Sequence, residues 1–245
     1  MPKAPIPIDI ERVRALADAH LVATSNAFGV ENFPLIPEDD PEYLPLKAYR
    51  PPMVLGLDPS TLPLCTVIGL LPAAEIAARF GGYAEAVHRG IEVRNGAVLL
   101  YGLQTAAIRD QDAAAAEALI RAAHAMVIFF QFDFTLIGVL DPERADTILQ
   151  DLVKQWNPKR ALIVWSLLED HRSWSPELSH LVLDSIADAG SASRNGIWTF
   201  RGNGLAENLH PSAISRALDI LRPLSKTERN AKRWATKLRK RLAAT

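Results

Sequence analysis

The distribution of proline constrains this chain more than any other feature. Nine of its seventeen prolines stand between Pro34 and Pro72, and each removes a backbone donor and disfavours helix for the residue before it. That stretch is therefore expected to be an extended connection, with Met53 to Leu57 and Leu64 to Leu70 as short runs compatible with β-structure. After Pro72 only five prolines remain, and three of them punctuate helices. Pro142 and Pro176 follow Asp141 and Ser175, the arrangement of a first helical turn behind a capping residue, while Asn157-Pro158 is a stop.

Helical periodicity fills most of the remaining ground. Asp9 is the expected cap of a helix through Val13, Leu16 and Ala17, and two further helical patterns run through PAAEIAARFGGYAEAVHRG. Asn95-Gly96 between apolar runs then signals a two-residue hairpin over residues 91–102. An Ala-rich helix capped by Asp110 or Asp112 follows; it is apolar nearly all round and so is expected at the centre of the fold. Ile148, Leu149, Leu152 and Val153 mark the buried face of the next helix. Ala161 to Leu168 reads as a buried strand or a buried helix, and Pro176 to Ala189 as another helix. Ile197 to Phe200 has the pattern of a strand between glycine-bearing turns, and two helices finish the chain. Together these elements imply an α+β, helix-rich fold with the hairpin and a few further short strands; two helices followed by a hairpin is the order of a winged helix. A boundary near Gln104 to Asp112 would divide the chain into residues 1–105 and 106–245.

One apolar stretch, Ala122 to Leu140, has the length of a bilayer crossing. Asp133 in its middle, with His124 and Gln131, marks it as protein core instead. The single cysteine, Cys65, cannot form an internal disulfide, and the first residues lack an apolar leader, so a cytoplasmic setting is expected.

The net charge of −1 hides an asymmetry. From Ser191 to Thr245 twelve Lys and Arg face three Asp and Glu, which leaves fifteen against twenty-five in the rest. Such a basic part suits an anionic partner. Two stretches carry the charge on amphipathic helices. In Asn208 to Leu221 and the next residue, Ala213, Ile214, Ala217, Leu218 and Leu221 gather on one side, with Ser212, Ser215, Arg216, Asp219 and Arg222 on the other. In Lys226 to Leu242, Ala231, Trp234, Ala235, Leu238 and Leu242 form one face. Lys232, Arg233, Lys237, Arg239, Lys240 and Arg241 cover most of the rest.

Two segments resemble DNA-binding motifs. Glu75 to Ile91 is similar to the helix-turn-helix of bacterial DNA-binding proteins, with Ile76, Ala77, Phe80, Gly81, Val87 and Ile91 at its apolar and turn positions. Gly82 and Tyr83 depart from that pattern, and Glu85, His88 and Arg89 occupy the reading face. Asn208 to Leu221 resembles the turn and recognition helix of winged-helix regulators, although the GNGLAE before it is short and Gly-rich for a supporting helix. The second resemblance implies contacts from Ser212, Ser215 and Arg216 to phosphates and base edges.

Catalytic signals are sparse. There is no phosphate-cradling Gly-rich loop with Lys, no dinucleotide fingerprint, no H-E-x-x-H and no cysteine-based metal spacing, and no cofactor is expected. The acidic cluster Glu38, Asp39, Asp40 and Glu42 lacks the defined ligand spacing of a hard-cation site and reads as a solvated loop. Cys65, in an apolar run, is expected to be an inert core thiol. The nearest acid/base constellation is Glu169, Asp170, His171 and His180. The sequence thus favours a non-enzymatic nucleic-acid-binding protein, regulatory or replication-related and most readily DNA-binding. It would act through Ser212, Ser215, Arg216, Arg222, Lys232, Arg233, Lys237, Arg239, Lys240 and Arg241. One alternative is a protein-interaction or self-associating subunit whose cationic terminal helix docks on an acidic protein surface; the acidic body of the same chain is another candidate for that role. A second alternative is an enzyme of unrecognised class built on His171. A membrane surface fits less well than any of these.

Overall fold

The computed structural model describes residues 7–22, 35–49, 58–93, 95–126, 132–155, 161–190, 194 and 204–244. Among the described residues every regular element is a helix, so the α+β expectation is corrected to an all-helical architecture. The hairpin fails at one backbone angle. Asn95 does adopt a left-handed φ of 62°, but Gly96 stays right-handed at −61°, whereas the tight turn of a two-residue type I′ hairpin needs positive φ at both positions. Gly96 instead starts a helix, and the apolar run behind it buries Val98, Leu99, Tyr101, Leu103, Ala106 and Ala107 at helical rather than alternate spacing. No winged helix is formed there. The strand expected at Ile197 to Phe200 and the run from Met53 to Leu57 lie outside the described residues.

The chain divides into two compact units, Met1–Ala122 and Ala123–Thr245. In the first, Asp9 accepts from the Arg12 amide at 3.2 Å and starts α1 (Ile10–Ala17). Two 3₁₀ turns, Leu44–Tyr49 and Pro59–Thr61, precede α2 (Leu62–Leu70). This helix corrects the reading of Leu64 to Leu70 as β-compatible: Pro63 stands in its first turn, where the missing N–H has no partner to lose. Every residue from Leu62 to Gly69 is buried, so α2 is the central helix of the unit. It packs on α5 (Ala97–Asp110), where a Cβ on Gly102 would come within 2.3 Å of Ile68 Cγ2; only glycine allows that approach. Between them in sequence lie α3 (Ala73–Arg79) and α4 (Tyr83–Glu92), with α3 turned 108° from the segment ending in α2 at the Leu71-Pro72 break.

The Ala-rich helix, α6 (Ala113–Met126), is not central. It buries a single face, Ala115, Ala116, Leu119, Ile120 and Ala123. Its cap is Asp112, which accepts from the Ala115 amide at 3.0 Å. Asp110 serves elsewhere, accepting from the Ala73 amide at the start of α3 at 2.9 Å. At the far end of the apolar stretch, Phe134–Val139 is a 3₁₀ turn capped by Asp133. Among the described residues no single helix is long and apolar enough to cross a membrane.

In the second unit, Asp141 and Ser175 cap α7 (Pro142–Lys154) and α9 (Pro176–Asp188) by accepting from Arg144 and Leu178 amides. The ambiguous Ala161 to Leu168 run is helical, α8 (Ala161–Asp170). A short α10 (Gly204–Asn208), a 3₁₀ turn at Pro211–Ala213, α11 (Ile214–Leu224) and α12 (Arg229–Leu242) complete it. The last two helices pack on each other, burying Ile214, Ala217 and Leu221 from one and Ala231, Trp234, Ala235 and Leu238 from the other.

Candidate functional site

At the first helix-turn-helix likeness two helices meet at a glycine turn. Gly81 takes φ 88° between α3 and α4, the Gly82 amide donates to the Ala77 carbonyl at 2.9 Å, and Ile76, Ala77 and Val87 are buried. Its outer face does not suit phosphates. Ile91, which the motif would pack inward, is 37% exposed, and Glu85 and Glu92 are exposed beside His88. The inner polar groups hold the fold together. Glu75 on α3 pairs with both Arg14 and Arg79, and Arg79 also pairs with Asp18. Burial disfavours the Glu75 carboxylate, but hydrogen bonds from Arg14 and Arg79 outweigh it and hold the acid below its ordinary range. Tyr83 donates to Asp112; burial, reinforced by that bond, pushes its phenol up to about 12.

The acid/base constellation is rearranged. His171 is buried, and its Nε2 lies 2.8 Å from Oδ1 of Asp146 on α7, not against Asp170 or Glu169. The other Asp146 oxygen accepts from the Ser175 amide at 3.1 Å. Around this pair the end of α8 is closed by side chains. Trp174 Nε1 donates to the Leu168 and His171 carbonyls, and Asn208 Nδ2 donates to those of Leu168 and Glu169. Both carboxylate oxygens and one imidazole nitrogen are thereby spent on joining α7 to the end of α8 and the start of α9, while Asn208 ties α10 to the same end, a load consistent with a structural junction. Cys65 is buried in α2, and burial pushes its thiol up to about 12, which leaves essentially no thiolate nucleophile. In the acidic cluster Asp40 caps its own turn by accepting from the Glu42 amide at 2.8 Å, and Glu42 pairs with Arg12. Among the described residues no group of three or more His, Cys, Asp or Glu is placed to hold a metal ion.

The cationic residues separate into two sets. On α11 the charges are matched. Arg216 pairs with Asp184 of α9 and donates to His180 Nδ1 at 3.1 Å, and Arg222 pairs with Asp219 at 2.7 Å. Ser212 shares a 2.8 Å hydrogen bond with His210, which caps the preceding turn. Ser215 is exposed. On α12, Lys237 pairs with Glu207 at 2.9 Å, and Arg241 donates to the carbonyls of Ala206 and Leu209 around the end of α10. The Lys237 hydrogen bond and its charge hold the Glu207 carboxyl below its ordinary value, with smaller help from Arg172 and Arg241.

Lys232, Arg233, Arg239 and Lys240 are different. All four are exposed, and among the described residues none pairs with a carboxylate. Arg229 joins them; it is exposed in the same way and lies one turn before Lys232 and Arg233. Helical geometry places these five within an arc of about 120° and along a rise of about 16 Å. The opposite side of α12 is anchored by Trp234, 2% exposed, with Ala231, Ala235 and Leu238. No Asp or Glu occurs from Arg229 to Leu242, and Arg239, Lys240 and Arg241 in the last turn also complement the helix dipole.

Three residues that matter to this arrangement escape the sequence reading. Asp184, Glu207 and Asp146 are held 32, 30 and 25 positions from their partners, and no local pattern connects them. Arg229, by contrast, is recoverable from the helical wheel once the terminal helix is bounded.

Among the described residues the regular elements are helices, and α12 presents an unmatched cationic face. Residues 36–245 match the family of unknown function DUF5691, and the chain belongs to that family. No curated protein and no solved structure matches the chain.

Proposed function

We propose that the chain is a non-enzymatic nucleic-acid-binding protein, regulatory or replication-related and cytoplasmic, that engages phosphates through the exposed face of α12. The observation that carries this reading is the set of five exposed cations, Arg229, Lys232, Arg233, Arg239 and Lys240, on one arc of a helix that contains no acid. Phosphate contacts by Lys and Arg release condensed counterions, which supplies affinity without any requirement for base reading. The test replaces Lys232, Arg233, Arg239 and Lys240 by alanine together. Exposed positions of this kind change stability by less than about 0.5 kcal/mol each, so thermal unfolding should stay near that of the parent. Affinity for duplex DNA at 0.1 M salt should fall more than about 100-fold, from a counterion gain of roughly 8-fold per contact. A parent chain that shifts no DNA at low salt, or a variant that binds as the parent does, overturns the proposal.

A second reading has its own support. Carboxylates already cover parts of the basic surface, as Asp184 covers Arg216 and Glu207 covers Lys237, and an acidic protein or a second copy of the chain could cover the α12 face in the same manner. Light scattering separates the two: a salt-sensitive oligomer with no DNA affinity favours this reading.

A further inference from the structure

We infer that the ligand of α12 is duplex DNA, held by its phosphate backbone without base reading and in preference to single strands; this rests on the nucleic-acid reading above. Three observations carry it. First, the described part of the basic region offers no stacking platform. From Gly204 to Ala244 the one Phe, Tyr or Trp is Trp234, and it is buried on the far side of the helix from the cations. Single-strand binders draw about 1–3 kcal/mol per base from exposed aromatic faces, and among the described residues the cationic face of α12 presents no Phe, Tyr or Trp.

Second, the polar donors of α11, which the winged-helix resemblance would set against base edges, are engaged elsewhere. The Arg216 guanidinium is held by Asp184 and His180, that of Arg222 by Asp219, and the Ser212 hydroxyl by His210. A bidentate contact to guanine from either arginine of α11 would first have to break such a pair. The α12 face, left unmatched, carries its Lys and Arg in one line with no acidic group between them, an arrangement that suits successive phosphates of a backbone.

Third, the line of charge is fixed before any ligand arrives. Trp234 and Leu238 seat α12 on one side, while Lys237 on Glu207 and Arg241 on the α10 carbonyls pin its flank. A duplex presents a stiff lattice of about one phosphate per 1.7 Å of axis, so a stiff line of about 16 Å meets it with little further ordering. A flexible single strand would have to be ordered along the same line, with no stacking to offset that cost.

The experiment is a fluorescence-anisotropy titration of the full chain against three labelled probes: two duplexes of unrelated sequence, each about 30 bp, and one single strand of the same length, at roughly 50–300 mM salt. The two duplexes should bind within about threefold of each other, and the single strand at least about tenfold more weakly. The slope of log K against log salt on duplex should lie near −4 to −5, as about five phosphate contacts require. Single-strand binding as tight as duplex binding, or a preference above about tenfold between the duplexes, refutes this inference while nucleic-acid binding stands. Failure to bind any of the three probes removes both. Competition by free polyphosphate that displaces duplex and single strand equally also counts against it, because it reduces the site to general anion capture.

Discussion

Helices α11 and α12 are neighbours that pack on each other, and each sets cations opposite a buried stripe. They differ in what stands beside those cations. On α11 each arginine of the polar face finds a carboxylate, Arg216 with Asp184 and Arg222 with Asp219. On α12 Lys232, Arg233, Arg239 and Lys240 find none among the described residues. Cation content is therefore a poor guide to a binding face. A paired arginine must give up one anion to take another, so its net gain is small, whereas an exposed unpaired cation offers its whole Coulomb and counterion-release contribution. The helix with the stronger motif resemblance is in this sense the weaker candidate.

The largest effect should come from matched deletions in the two helices. Arg233→Ala with Lys240→Ala is expected to weaken duplex DNA binding by about 50-fold at 0.1 M salt and to lower the salt slope by about 2. Arg216→Ala with Arg222→Ala removes the same formal charge and should change affinity by less than about threefold, since each of these arginines is already spent on a carboxylate and not on a phosphate. Anisotropy titrations of both variants read the two effects side by side, and equal losses from the two would end the distinction between the helices. A smaller effect tests the cause of the difference directly. Asp184→Asn leaves the shape of the α9 to α11 contact but removes its charge, so Arg216 is released. The affinity for duplex should then rise by about two- to eightfold if α11 borders the same ligand; a fall would show that Asp184 supports binding by holding the surface together.

The contrast also shows which parts of the protein could be read from residue order. Local devices were legible. Asp9, Asp141 and Ser175 each cap the helix that their spacing announces, and the Trp234 stripe on α12 follows from period alone. Errors arose where a local signal has two physical solutions. Asn95-Gly96 suits a hairpin or a helix start, and the φ of Gly96 decides it; the Leu64 to Leu70 run is a helix because Pro63 can sit in a first turn as well as in an extended chain. The state of the candidate site was only half legible. The cations and their helical arc are in the sequence, but Asp184 and Glu207 reach Arg216 and Lys237 only through the packing of separate helices. The same holds for His171, whose sequence neighbours Glu169 and Asp170 are less important to it than Asp146.

The smallest expected effect concerns how α12 is held rather than what it offers. Lys237 keeps the Glu207 carboxyl below its ordinary value, so the pair stabilises the folded chain above the unfolded pKa of about 4.5 and stops doing so as pH falls through the lower folded value. Glu207→Gln removes that contribution at every pH. The parent should therefore melt about 1–2 °C above the variant at pH 7, the size an exposed ion pair supports, and the two should converge as pH falls through the lowered folded value. Glu75 provides the internal comparison, because it is more buried and answers two arginines instead of one lysine. Its replacement by Gln should lower the melting temperature further, with the same sign and the same convergence in acid. A Glu207 difference that persists at pH 3 would mean that the residue positions α12 through packing and not through charge, and Lys237 would then belong with the unmatched cations of the face.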